Sequence, residues 1–479
     1  MSRDKTTFDL MVMGAGMAGM AAALFASNRG LSVALAGSVG GIDFSTGLID
    51  LLAVHPLEEG RVWDDPWACI EALREHSPQH PYARLDSGTM ARAMDEFCAF
   101  LGDMGMPMEG HARKNTRILT AMGTAKHTFR APRSMWAGAE ALSGKAPCLL
   151  VDFQGLKGFS AVQIREVAGA DWPGLRTLRV PFPGWKEELY PEHMATALHE
   201  PALRRALADT VRPHLAEARF VGFPALLGRE QAEVVRADLE TLLGARVFEI
   251  PTLPPSLAGS RLRAAFDRGL PGRGVHLYSQ RMVLSQQPLP DGGFRLGLGK
   301  ERIETTIQAK AVILATGRFF GKGLVADRGR VREAVFDLPL YQPGKRDSWH
   351  SPEFYDPRGH ELNNTGVETD NALRPLNDHG KAVHPRLFAA GSILAHQDWM
   401  RQKCGAGLAI TTAFQAVASA REALKPTAVK PAPPSRATPE EIPTDGTAPH
   451  GSESSQSLNS HSFLIQSQII SARTNRSGK

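Results

Sequence analysis

Phe8-Asp9-Leu10-Met11-Val12-Met13-Gly14-Ala15-Gly16-Met17-Ala18-Gly19 is the stretch that decides the fold. Its opening residues are short and mostly apolar, as in a buried strand, and the Ala-rich run Met20 to Asn28 favours helix. Arg29-Gly30 closes that helix and Leu31 to Ala36 reads as a second buried strand, so the chain begins with a βαβ unit. Between strand and helix stands Gly-x-Gly-x-x-Gly. In that setting Gly14 makes the tight turn, Gly16 lets a phosphate approach the backbone, and Gly19 lets the helix pack on the strand. The helix N-terminus adds free N–H groups and partial positive charge, which suit a phosphate. The motif therefore reads as nucleotide binding, with a purely structural glycine turn as the plainer alternative. One expected element is missing. An adenosine ribose is normally held by Asp or Glu about 20 residues after the turn. That position falls near Gly37, between Ala36 and Ser38, and Asp43 comes too late to replace it. A dinucleotide bound without that contact is one reading; the gap equally suits a mononucleotide such as FMN, which has no adenosine to anchor.

Outward from this unit, Ile42 to His55 is rich in Gly and Ser, residues 66–106 look helical, and 147–155 reads as another strand. From about 160 to 300, helical stretches such as His193 to Leu215 and Arg229 to Leu243 alternate with short apolar runs. Strand signatures return at Ala311 to Ala315, followed by Thr316-Gly317, and at Pro385 to Ala390, followed by Gly391. Gly405 to Leu424 is an Ala-rich helix. The expected fold is α/β: a Rossmann-like domain, with a parallel sheet and helices on both faces, built from 7–160 and 301–424. An α/β region over 161–300 interrupts it. The Pro- and Ser-rich segment 425–479 is expected to be a disordered tail, because it has too few large apolar residues to offset its chain entropy.

The chain has 479 residues, 42% hydrophobic and 22% charged, which is ordinary globular usage. With 55 Lys plus Arg against 50 Asp plus Glu, the net charge of +5 is too thin to demand a nucleic-acid partner. Cys69, Cys98, Cys148 and Cys404 are far apart, which argues against a disulfide framework, a bound metal or an iron–sulfur cluster held by this chain alone. The charged N-terminus and the lack of a long apolar run lead to the expectation of a cytosolic protein with no targeting or membrane-spanning segment.

Further signals point to a flavin. Small residues at Thr316-Gly317 allow close approach of a nucleotide. Gly391-Ser392, then Cys404-Gly405-Ala406-Gly407 and a helix, would aim a helix N-terminus at the electron-rich pyrimidine edge of the ring. With only one Gly-x-Gly-x-x-Gly turn, a pyridine-nucleotide reductase is not supported.

These residues carry a family resemblance. Phe44-Ser45-Thr46-Gly47-Leu48-Ile49-Asp50-Leu51-Leu52, Pro251-Thr252-Leu253-Pro254-Pro255-Ser256 and the run Leu314 to Ala326 resemble the B-type subunit family of the anaerobic glycerol-3-phosphate dehydrogenase. Leu373-Arg374-Pro375, Phe388 to Leu394 and Cys404 to Gly407 add to the match, which spans about 8–424. The resemblance implies a flavin-containing subunit, with FMN as the expected cofactor and FAD the alternative. Its complex would oxidise sn-glycerol 3-phosphate to dihydroxyacetone phosphate and pass electrons toward quinone. It implies a second flavoprotein subunit as dimer partner and an iron–sulfur subunit that ties both to the inner face of the cytoplasmic membrane. The expected cofactor-binding residues are Gly14, Gly16, Gly19, Ser45, Thr316, Gly317, Gly391, Ser392, Gly405 and Gly407. His127 and His396 lie nearest these motifs and are the candidate bases, while Arg318, Lys322 and Arg374 are candidates for a substrate phosphate. A rival reading is a subunit for assembly or electron relay that binds flavin weakly or not at all. The missing ribose carboxylate, and Ser392 where many flavoproteins place Asp, lean that way.

Overall fold

The computed structural model describes residues 6–38, 41–184 and 188–426. The opening βαβ unit consists of β1 (Thr7–Met13), α1 (Met17–Asn28) and β2 (Val33–Gly37). Next come α2 (Ser87–Asp103), the hairpin of β3 (Thr116–Leu119) and β4 (Ala125–Thr128), and α3 (Arg133–Gly144). They are followed by β5 (Cys148–Phe153), β6 (Leu175–Val180), β7 (Phe220–Pro224), α4 (Ala232–Leu243) and β8 (Arg246–Ile250). Then α5 (Leu257–Gly269) leads to β9 (His276–Ser279), β10 (Met282–Pro288), β11 (Phe294–Gly299) and β12 (Ile303–Leu314). The described chain closes with β13 (Leu387–Ala389) and α6 (Gly405–Ala423).

The first sheet runs β9-β2-β1-β12-β11-β10, with β13 added to β12. β1, β2, β9, β12 and β13 pair in parallel, whereas β11 meets β12 and β10 antiparallel. Leu10, Met11 and Val12 are wholly buried, which is why these strands read as continuous apolar runs instead of alternating ones. The register decides where a ligand can sit. Met13 aligns with Ala36 on one side and Leu314 on the other, and Leu314 aligns with Ala389. Four parallel strands therefore end at one level, and each runs into small residues there: Gly14, Gly37, Thr316-Gly317 and Gly391. Open α/β sheets bind ligands outside the carboxyl ends of their strands.

α1 and α6 pack beneath this edge, their alanines allowing close approach. Phe25 meets Phe414 edge-on at 5.0 Å between ring centroids, and the Arg29 guanidinium lies 4.4 Å over the Phe414 ring while pairing with Glu96 on α2 at 3.0 Å.

The second sheet, β8-β7-β5-β6, is entirely parallel. Phe153, Phe223, Phe248 and Trp172 fill its core. The expected boundaries of the inserted region shift accordingly. The strand at 148–153, expected in the Rossmann-like sheet, belongs to the second one. Residues 276–299, expected in the insertion, supply three strands of the first sheet, and α5 packs in its core. A parallel strand buried on both faces has the same apolar pattern in either sheet, so sequence alone misplaces it. Pro201 also divides the expected helix over His193 to Leu215 into Pro191–Ala197 and Pro201–Val211, because its ring and missing N–H break the ladder. The expectation of disorder over 425–479 lies outside the described residues from 427 onward.

Candidate functional site

Close backbone approach assembles the site. Gly14 has a φ of +118°, and a Cβ there would fall 2.2 Å from the Ala315 carbonyl oxygen. A Cβ on Gly19 would fall 1.7 Å from the Gly14 carbonyl oxygen, so turn, helix and β12 end are locked together only while both residues are glycine. Gly16 differs: a Cβ there would meet nothing within 4 Å, so this position opens onto free space. Gly391 presses on α1, its would-be Cβ 2.6 Å from that of Ala18, and its N–H donates to Thr412 Oγ1 on α6 at 2.9 Å. A Cβ on Gly317 would sit 3.5 Å from Ser392 Oγ. At the start of α6 the Gly407 N–H donates to the Asp50 carbonyl oxygen at 2.7 Å. Ser45, upstream of Asp50, has its carbonyl held by Ser256 Oγ at 2.6 Å, while its own hydroxyl accepts the Gly47 N–H at 3.1 Å. The glycine turn, the end of β12 and the segment from 391 to α6 thus form one contiguous surface. The segment 45–50 is stitched to the first turn of α6.

Polar groups on that surface fit a nucleotide-bearing heterocycle. Neither α1 nor α6 has a side-chain cap, and the Gly405 and Ala406 N–H groups have no backbone partner among the described residues. Thr316 Oγ1 and Asp50 Oδ1 are buried without a hydrogen-bond partner there, a costly condition unless a bound group satisfies them. The absent ribose carboxylate has a steric cause, since a Cβ on Gly37 would lie 2.3 Å from the Ala15 nitrogen.

The candidate bases separate. His396 Nε2 lies 2.8 Å from Glu368 Oε1, and the imidazole packs against the Tyr341 ring at 4.1 Å. It follows Gly391-Ser392 closely in the sequence and is largely covered, and the Glu368 carboxylate orients its imidazole. His127 sits on β4, where burial lowers its proton affinity. Successive strand residues point to opposite faces, so Lys126 reaches Asp50 Oδ2 at 2.8 Å while His127 faces away from that pair.

The candidate phosphate ligands separate as well. Arg318 donates to the carbonyl oxygens of Asn363 and Leu362, and its Nε is buried without a partner among the described residues. Burial pushes its pKa down to about 10. It clasps the loop at 361–364 and presents no free fork to a phosphate. Arg374 is paired with Asp370 at 2.7 Å. Of the three, only Lys322 is exposed with no side-chain partner among the described residues. Sequence reading missed Glu368, Asp50 and Lys126, whose partners lie far away in the chain.

The fold and site define a flavoprotein, and the match of residues 9–408 to the FAD binding domain family agrees. A protein of Halobacterium salinarum described as the probable B-type subunit of anaerobic glycerol-3-phosphate dehydrogenase is 33% identical over 433 residues, covering 87% of this chain and 98% of that protein. The B-type subunit of the same dehydrogenase from Yersinia pseudotuberculosis is 30% identical over 421 residues, covering 85% and 96%. The chain belongs to the family of B-type subunits of anaerobic glycerol-3-phosphate dehydrogenase. Among solved structures, 3-ketosteroid Δ1-dehydrogenase from Sterolibacterium denitrificans is similar at a TM-score of 0.40 and 12% identity, covering 87% of this chain and 100% of that one.

Proposed function

We propose that this chain is the flavin-bearing subunit of a complex that oxidises sn-glycerol 3-phosphate to dihydroxyacetone phosphate and passes the electrons toward quinone. The observation that carries the reading is the convergence of two uncapped helix N-termini and two buried polar atoms, without partners among the described residues, on the glycine-lined edge of the first sheet. The first turn of α1, open beside Gly16, would hold phosphate, and the first turn of α6 would hold the pyrimidine edge of the ring. When bound, the flavin supplies the hydride acceptor. His396, oriented by Glu368, is proposed to take the hydroxyl proton of the substrate, a role typically worth about 10²–10⁴ in rate. Lys322 is proposed as the point charge for the substrate phosphate.

The family match favours FAD as the cofactor. FMN remains the second reading, favoured by Gly37, whose crowding against Ala15 leaves no room for a ribose-binding carboxylate. The proposed partners are a second flavoprotein subunit and an iron–sulfur subunit that holds the complex at the cytoplasmic membrane. No helix among the described residues is long and apolar enough to cross a membrane.

Co-expression with the candidate second subunit, flavin extraction and a dye-linked assay test the proposal. One flavin on this chain, with oxidation of glycerol 3-phosphate by the pair, is the expected result. A colourless chain in an active pair would favour an assembly or relay role, to which Ser392 in place of a ribityl-binding Asp also points.

A further inference from the structure

The Asp50–Lys126 pair is not explained by folding alone. Lys126 Nζ lies 2.8 Å from Asp50 Oδ2, with side-chain exposures of 27% and 13%, while Oδ1 is buried and has no partner among the described residues. A half-satisfied buried carboxylate is costly, so a structural ion pair would be expected to use both oxygens. Its position supplies the missing donor. The Asp50 backbone carbonyl receives the Gly407 N–H, which fixes Asp50 against the first turn of α6. Its carboxylate is close enough to Cys404 to help hold that buried thiol in its neutral form, although burial is the larger cause. The same turn carries the Gly405 and Ala406 N–H groups, which have no backbone partner among the described residues. Two donors on the first turn of α6 and the carboxylate of a residue bonded to that turn are therefore brought to one place.

That pattern is the complement of an imide. The pyrimidine edge of an isoalloxazine presents carbonyl oxygens on either side of N3–H, the one N–H donor of the oxidised ring. We propose that Asp50, held in place by Lys126, accepts the flavin N3–H hydrogen bond beside the α6 N-terminus. The assignment rests on the flavin reading above and extends it to the orientation of the ring. It also gives Lys126 a positioning role: without the ammonium, Asp50 is free to turn toward solvent.

The test compares FAD with N3-methyl-FAD, which lacks the donor, by fluorescence titration of the purified full chain. Wild-type chain is expected to prefer FAD by about 10- to 100-fold, the range for a hydrogen bond to a charged group. In Asp50→Ala that preference should fall to near one. Lys126→Met, altering a partly exposed side chain, should reduce it in the same direction and serves if Asp50→Ala fails to fold. A preference unchanged in both variants, or wild-type chain that binds both flavins equally, overturns the assignment while leaving flavin binding intact. Wild-type chain that binds neither flavin overturns the flavin reading and this one with it.

Discussion

The two sheets use glycine for opposite purposes. In the first, glycine admits backbone: Gly14 against Ala315, Gly19 against Gly14, Gly37 against Ala15. In the second, it admits a side chain: Cβ atoms on Gly138 and Gly222 would fall 2.4 and 2.6 Å from the Phe248 ring. Their polar groups differ in the same sense. Around the first sheet's edge Thr316 Oγ1 and Asp50 Oδ1 are left without partners among the described residues. In the second, the Asp152 carboxylate accepts the N–H groups of Phe153 and Ala161. Glu249 accepts the Leu227 N–H at 2.7 Å and pairs with Arg261 at 2.6 Å. One sheet is closed chemically and mechanically. The other leaves polar atoms at its edge for a bound group to satisfy.

This contrast can be broken by mutation. Arg261→Met leaves Glu249 buried without its partner and should cost about 3–5 kcal/mol in urea unfolding, with flavin affinity per folded chain unchanged. A loss of affinity without a loss of stability would mean that the second sheet takes part in binding. Gly14→Ala adds a clash and an unfavourable φ, and should cost about 3 kcal/mol or leave the chain insoluble. A soluble, fully stable Gly14→Ala chain would contradict the locked turn.

His80 sharpens the comparison through pH. It is wholly buried, with Nδ1 accepting the Tyr82 N–H and Nε2 3.3 Å from Gln402 Oε1, and burial lowers its pKa to about 3. The folded state therefore binds a proton less readily than the unfolded chain, and stability is lost as pH falls below the ordinary histidine value. From pH 7.5 to 5.5 the loss from this residue should be about 1.4 kcal/mol. Urea melts at the two pH values should show that much more loss in wild type than in His80→Gln; equal losses would mean that His80 is not held neutral. The smallest effect on the fold belongs to Gly16→Ala. Its Cβ meets nothing, so melting should not change, but flavin affinity should fall about 10-fold as the methyl group takes space beside the α1 N-terminus. Unchanged affinity would detach the turn from the ligand.

What could be read from the sequence was what leaves a local mark. Gly14, Gly19, Gly317 and Gly391 stand where backbone meets backbone or where φ is positive, and no other residue serves there, so the site's scaffold was visible as punctuation between apolar runs. The division between sheets was not visible, because Cys148–Phe153 and Val33–Gly37 are both buried throughout. Arg318 looked free because the carbonyls it holds belong to residues 44 and 45 positions later. Lys126 was overlooked in favour of the adjacent His127 because only the pairing of β3 with β4 shows which of the two faces Asp50. Long-range polar partnerships have no signature in a single sequence, whereas special backbone positions do.

Flavin stoichiometry of the purified chain after incubation with FAD and removal of the excess bears most directly on the central claim. The structure leads to one flavin per chain, with a visible spectrum perturbed from that of free FAD and retained in Arg261→Met at low temperature. No retained flavin, alone or with the partner subunits, would contradict it.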